Sequence, residues 1–158
     1  MNLVDELRGL VAEFEADGAH YALCGGLAVA AHGHPRFTKD IDVLVPKQEL
    51  ARVRAAARRR GFILEGGRLT PGAGTERERE LFRISKAEGA NVLTLDLLLV
   101  GPTYERAWDG RVRATWRGRE LWLVSRDGLI WMKTIAGRPQ DLADIDALKR
   151  MQSEDPHG

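Results

Sequence analysis

The sequence predicts an α+β fold, a mixed β-sheet with helices packed mainly on one face. The 158 residues are enough for one domain with its own core, so residues 1–158 are expected to form a single domain with a flexible tail at 151–158. Helical and strand patterns both recur along the chain, in irregular order. Two late strand patterns meet at Arg117-Gly118 as a hairpin, which adds antiparallel pairing to the sheet.

The helices are predicted from apolar residues that recur every three or four positions. The first covers about residues 2–16 and stops before Gly18, and an Ala-rich second one closes at Gly33. The arginines of the third helix face mostly outward. The last helix begins with Pro139, which suits a first helical turn. The second to fifth predicted helices have the sequences "LAVAAHG", "KQELARVRAAARRRG", "RDGLIWMKTIAG" and "PQDLADIDALKRMQ".

The strands are predicted from short apolar or alternating runs bounded by glycine and proline. The stretch "GGRLTPGAGTERERE" is rich in glycine and charge and reads as a loop between two of them. The predicted strands are "HYALCG", "KDIDVLVP", "GFILEGG", "ELFRIS", "NVLTLDLLLVG", "RVRATW" and "RELWLV".

Composition narrows the class of protein. Lys plus Arg number 24 and Asp plus Glu 23, so the net charge of +1 gives no general attraction to nucleic acid or to a membrane. Cys24 is the single cysteine, which excludes an internal disulfide and favours a reducing compartment, the cytoplasm. No apolar run reaches the ~20 residues of a membrane span, so no membrane association is expected.

Two carboxylates interrupt an otherwise apolar strand. Asp40 and Asp42 are two residues apart in "KDIDVLVP" and therefore share one face, while Ile41 and Val43 face the core. Paired carboxylates repel each other unless a cation lies between them, and Mg²⁺ prefers oxygen ligands of this kind. Asp96, in "LTLDLLLV", is the other acid embedded in a strongly apolar strand. We predict it as the third ligand.

The glycines before this strand suit an anion. Gly25-Gly26 end a strand and open a helix, where bare backbone N–H groups can approach a phosphate. Three carboxylates on neighbouring strands can hold two Mg²⁺ ions, with Mn²⁺ as a substitute, of which one activates a hydroxyl and both steady charge at phosphorus. Together these features indicate phosphoryl or nucleotidyl transfer.

The order "GG", thirteen residues, "DID" and a later strand Asp resembles the nucleotidyltransferase fold of the DNA polymerase β-like superfamily. The strings "CGGLAVAAHGHPRFTKDIDVLV" and "LIWMKTIAGRPQDLADIDAL" are similar to small bacterial nucleotidyltransferases of the AbiEii toxin type. The resemblance covers about residues 19–46 and 92–150. It implies a catalytic metal triad of Asp40, Asp42 and Asp96, a phosphate contact at Gly25-Gly26, and nucleotide binding by Lys133.

Several other residues admit both a structural and a functional role. Arg36 and Thr38 either order the loop before "DID" or contact phosphate. Lys133 lies on an apolar helix, where a lysine commonly extends to water. Asp141 either caps the last helix, as expected also of Asp144, or faces the site.

From these residues and the resemblance we expect a reaction that moves a nucleoside monophosphate from ATP or another NTP to a hydroxyl of RNA, protein or a small molecule. The resemblance also suggests a toxin with an antitoxin partner; the oligomeric state stays open. Two other hypotheses remain open. The first is an inactive module of the same fold that binds a nucleotide or a partner, and the second is a metal-dependent phosphodiesterase that uses water as the attacking group.

Overall fold

The structure is a computed structural model and describes residues 1–154. In that range the chain forms six α-helices around a seven-stranded mixed sheet, which confirms the predicted fold class. The helices are α1 (Leu3–Ala16), α2 (Gly25–Ala31), α3 (Leu50–Arg59), α4 (Glu105–Asp109), α5 (Arg126–Ala136) and α6 (Pro139–Glu154). The strands are β1 (Ala22–Cys24), β2 (Asp40–Pro46), β3 (Leu64–Leu69), β4 (Leu81–Glu88), β5 (Asn91–Val100), β6 (Val112–Trp116) and β7 (Arg119–Leu123).

The strand order is β3-β4-β5-β2-β1-β7-β6, so β2 lies in the middle of the sheet. β2 runs parallel to β5 on one side and antiparallel to β1 on the other. β6 and β7 form the predicted antiparallel hairpin. This arrangement places the two strands that carry the predicted acids side by side, although about fifty residues separate them in the sequence.

The core is built from the faces that the periodicities predict. Ile41, Val43 and Val45 of β2 are fully buried. Leu7 and Phe14 of α1 are also buried, as their helical spacing requires. Burial of this apolar surface supplies the main driving force for folding. Asp40 and Asp42, on the opposite face of β2, are therefore held on a rigid central strand.

Some boundaries differ from those predicted. The third helix opens with a 3-10 turn, Lys47–Glu49, before α3. β3 runs to Leu69, inside the stretch predicted as a loop, and its side chains are exposed, which explains its weak pattern. The short helix α4 was not predicted, because five residues span little more than one turn.

The C-terminal helix is longer than expected. α6 begins at Pro139 as predicted, after Gly137 ends α5 in the left-handed region at φ 66°. It continues to Glu154, so the first four residues of the predicted tail at 151–158 are helical, and the others lie outside the described residues. Within 1–154, every helix is too short or too polar to cross a bilayer.

Candidate active site

Asp42 and Asp96 lie directly beside each other on neighbouring strands. The parallel register of β2 and β5 pairs Asp42 with Asp96, and Asp40 with Thr94. Residues paired across neighbouring strands point to the same face, and Asp40 shares that face with Asp42 by the two-residue repeat. All three acids line one cleft of about 380 Å³. The three acids therefore open into one shared cleft.

The two glycines of α2 lie against the same acids. Gly25 has φ 67°, and a Cβ there would overlap the Asp42 carboxylate. A Cβ at Gly26 would lie 2.8 Å from Thr38 Oγ1 and 2.9 Å from Arg36 Nη2. Both positions therefore exclude larger residues, because other side chains already fill the space beside them.

The glycines themselves form the first turn of the helix, instead of a turn before it. Arg36 and Thr38 reach the glycines from the loop that precedes β2, so the structure brings both residues to the cleft.

Lys133 is buried on α5 and does not extend to water, in contrast to the usual behaviour of a lysine on an apolar helix. Its Nζ lies 3.0 Å from Asp144 Oδ2 and 3.6 Å from Asp141 Oδ1, both on α6. Arg36 Nε lies 3.0 Å from Asp144 Oδ1. These contacts link α5, α6 and the loop before β2 at the edge of the cleft. Burial of Lys133 is tolerated because two carboxylates surround it.

Asp141 combines the two roles that the sequence left open. Its Oδ2 accepts hydrogen bonds from the backbone N–H of Arg138 at 3.0 Å and from Arg138 Nε at 2.8 Å, which caps the start of α6. It also lines the cleft. Burial opposes ionisation of Asp141, but the hydrogen bonds from Arg138 outweigh it and hold the pKa of this carboxyl below its ordinary value.

The cleft therefore contains every residue predicted for the site. The acids come from the central strands, and basic side chains from the loop before β2 and from α5 also line the cleft. The predicted residues that line it are Gly25, Gly26, Arg36, Thr38, Asp40, Asp42, Asp96 and Lys133.

A sequence profile of the family described as nucleotidyl transferase AbiEii toxin, type IV TA system, matches residues 8–157. The chain belongs to this family. The predicted resemblance to AbiEii-type nucleotidyltransferases is thereby confirmed. A comparison with curated proteins gave no match.

Several solved structures have a fold similar to that of this chain. The antibiotic-resistance factor ANT(2″)-Ia, solved with adenylyl-2″-tobramycin, is 14% identical with a TM-score of 0.63, over 94% of this chain and 88% of that one. The lincosamide antibiotic adenylyltransferase LnuA, solved with lincomycin, is 15% identical with a TM-score of 0.58, over 92% and 95%. TM1012 from Thermotoga maritima is 10% identical with a TM-score of 0.59, over 96% and 93%. At these identities the likeness establishes the shared fold.

Asp42 is an acid of this AbiEii-family cleft whose pKa is raised. Burial, followed by the charges of Asp96 and Asp40, raises the pKa of Asp42 to about 7, although Lys133 and Arg138 act in the opposite direction. Neighbouring Cys24 is fully buried, and its thiol pKa is raised for the same reasons, burial first and Asp42 next. A thiol in this environment is a poor nucleophile.

Arg83 also lines the cleft and was not predicted from the sequence. It lies on β4 directly opposite Asp96, and it donates hydrogen bonds from Nε to Oδ1 at 2.8 Å and from Nη2 to Oδ2 at 3.0 Å. The alternation in "ELFRIS" puts Arg83 on the face opposite to Phe82 and Ile84, but the pattern cannot indicate which residue of β5 it meets. Arg79 and Tyr104, also unpredicted, line the cleft beyond it.

The acids fit divalent cations in ligand chemistry. Asp40 and Asp42 have no basic partner among the ion pairs of residues 1–154, and burial, followed by the charges of Asp96 and Asp40, raises the pKa of Asp42. Yet no group of three or more potential ligands in the described part of the chain is already arranged around one metal position. The two hydrogen bonds from Arg83 explain this for Asp96, since both of its oxygens face the guanidinium.

Proposed function

We propose that the chain transfers a nucleoside monophosphate from an NTP to a hydroxyl acceptor, with pyrophosphate as the leaving group. The observation that carries the proposal is the cleft in which Asp40, Asp42 and Asp96 face Gly25-Gly26. Membership of a nucleotidyl transferase family supports it independently. We further propose that one domain in the cytoplasm carries this activity.

Each side chain has a role that follows from its position. Asp40, Asp42 and Asp96 would hold two Mg²⁺ ions, or Mn²⁺ in their place, which when bound activate the attacking hydroxyl and offset charge at the phosphorus. Gly25 and Gly26 form the first turn of α2, where their backbone N–H groups would bind phosphate oxygens.

Lys133 and Arg36 would bind the triphosphate. Asp144 lies between them, 3.0 Å from each, and would fix where their charges stand. A pre-positioned charge stabilises a transition state without reorganisation during the reaction.

The proposed acceptor belongs to one of three classes: RNA, a protein side chain or a small molecule. ANT(2″)-Ia and LnuA share the fold and were solved with tobramycin and lincomycin compounds, which are small molecules. The family description adds a toxin–antitoxin setting, so an antitoxin protein is a proposed partner.

The experiment that tests the reaction incubates the protein with each α-labelled NTP, Mg²⁺ and separate pools of RNA, protein and small hydroxyl compounds. Mass spectrometry should find a nucleoside monophosphate added to one pool. Asp42→Asn should reduce this transfer by several orders of magnitude, while the exposed Asp146→Asn should not. Absence of transfer to all three pools by the folded protein would contradict the proposal.

Nucleotide binding can be measured before the acceptor is known. An NTP should raise the thermal midpoint more with Mg²⁺ than with EDTA, because a ligand that binds only the folded state stabilises it. A Mg²⁺-dependent shift without any transfer would favour the alternative of a nucleotide-binding module. No shift at millimolar NTP would exclude both.

A further inference from the structure

Arg83 and two of the three acids form a row across three strands. Asp42 of β2, Asp96 of β5 and Arg83 of β4 are successive cross-strand partners. Asp96 therefore has a carboxylate on one side and a guanidinium on the other. Only the guanidinium makes hydrogen bonds with it, one to each carboxylate oxygen.

The side chains of Asp96 and Arg83 differ in how freely they can change conformation. The Asp96 side chain is 9% exposed and is held on a central strand, whereas the Arg83 side chain is 43% exposed. An arginine in this position can turn away without any change in the sheet, because its backbone pairing does not involve the guanidinium. Asp96 has less freedom to move, because its own short side chain is buried on β5 between β2 and β4.

The Arg83 guanidinium occupies the position beside Asp96 where a divalent cation would bind. A forked contact uses both carboxylate oxygens of Asp96 in the direction of Arg83. A divalent ion close to this positive charge would be repelled, and it would have to compete for the same oxygens. Asp40 and Asp42 meet no such obstacle, because neither forms an ion pair within residues 1–154.

We propose that Arg83 is a positioning residue that makes the two cation sites unequal. A first divalent ion binds at Asp40 and Asp42 in the free protein. A second binds only after Arg83 leaves Asp96, and the anion that draws Arg83 away is a phosphate group of the bound nucleotide. Arginine recognises phosphate and carboxylate with the same planar fork, so the exchange conserves its hydrogen bonds. This inference rests on the proposed function and adds an order of binding to it.

The test measures Mn²⁺ binding by electron paramagnetic resonance on the full chain without nucleotide. Wild type should bind one ion tightly and a second on the order of tenfold more weakly, the effect expected for one competing charge-assisted contact. Arg83→Gln should bind two ions with similar affinity. Two ions about 4 Å apart also couple magnetically, so the mutant spectrum should show spin–spin broadening that the wild-type spectrum lacks.

Two further variants serve as controls. Arg83→Lys keeps the charge without the fork and should give an intermediate affinity for the second ion, which also covers the case that Arg83→Gln does not fold. Arg68→Gln removes an exposed arginine that pairs with Glu80 on the face of the sheet opposite to Arg83, and it should behave as wild type. Addition of a non-hydrolysable NTP analogue should give wild type its second ion and the broadened spectrum.

The outcomes separate this inference from the function. Two equivalent ions in nucleotide-free wild type, or a single ion in folded Arg83→Gln, would overturn the role of Arg83 and leave nucleotidyl transfer intact. So would an unchanged second-ion affinity in Arg83→Lys. No Mn²⁺ binding by any variant, with or without the analogue, would overturn the proposed function and this inference together.

Discussion

Asp42→Asn in metal-free protein tests whether the strand acids serve the fold or the site. The substitution keeps the shape of the side chain and removes a negative charge that is unfavourable in the folded protein. A carboxylate retained for folding would be paired, and its loss would lower the free energy of unfolding. A carboxylate retained for a cation is uncompensated when the cation is absent, so its loss should raise that free energy.

The magnitude follows from the raised pKa. Burial and the neighbouring acids move the pKa of Asp42 from an ordinary value of 3.8 to about 7. At about 1.4 kcal/mol for each pKa unit, the upper limit of the cost is ~4 kcal/mol when Asp42 is ionised. Asp42 keeps part of its exposure, so solvent screens some of this. We expect Asp42→Asn to be about 2 kcal/mol more stable than wild type at pH 8.

The pH dependence has a defined sign. Below pH 4 the carboxyl is protonated in the folded and unfolded states, so the cost vanishes. Between pH 4 and 7 the unfolded state loses its proton and the folded state keeps it, so wild-type stability falls as pH rises. Above pH 7 the cost is constant. The advantage of Asp42→Asn should therefore shrink to a few tenths of a kcal/mol at pH 4.

Urea denaturation in EDTA at pH 4, 6 and 8 measures these differences. Asp146→Asn, an exposed substitution on α6, is the matched control and should stay within about 0.5 kcal/mol of wild type at each pH. A mutant less stable than wild type at pH 8, or an advantage that does not change with pH, would refute the reasoning and weaken the catalytic interpretation of "DID".

Three further substitutions test the surroundings of the acids. Gly26→Val should abolish the NTP-dependent rise in thermal midpoint but leave a folded protein, because its side chain would displace Thr38 and Arg36; an unchanged shift would contradict this. Gly25→Ala should lower the free energy of unfolding in urea more than Gly18→Ala, because both glycines have a positive φ but only a side chain at position 25 would meet Asp42. Backbone strain alone should cost about 1–3 kcal/mol at either position. Equal losses in the two variants would argue against the contact with Asp42. Asp144→Asn should cost about 2 kcal/mol or more and weaken NTP binding, because Lys133 and Arg36 lose their shared carboxylate; a neutral effect on both would show that the network is dispensable.

Local sequence patterns determined the elements and the face on which the main acids lie. A two-residue repeat puts Asp40 and Asp42 together whatever the rest of the fold does, and buried Ile41 and Val43 confirm which face is the core. Glycine and proline marked the ends of α5 and the start of α6 in the same local way. These features depend on neighbours within one turn or one strand, so sequence alone can specify them.

The tertiary structure decided how those elements meet. Asp96 lies beside Asp42 because β2 and β5 pair in one register, and a shift by one residue would turn Asp96 to the other face. The contact of Arg83 with Asp96 depends on the register of β4 with β5 in the same way. Lys133 is buried only because α6 brings Asp144 against α5. Register and helix docking are set by packing over the whole core, and no local pattern contains that information.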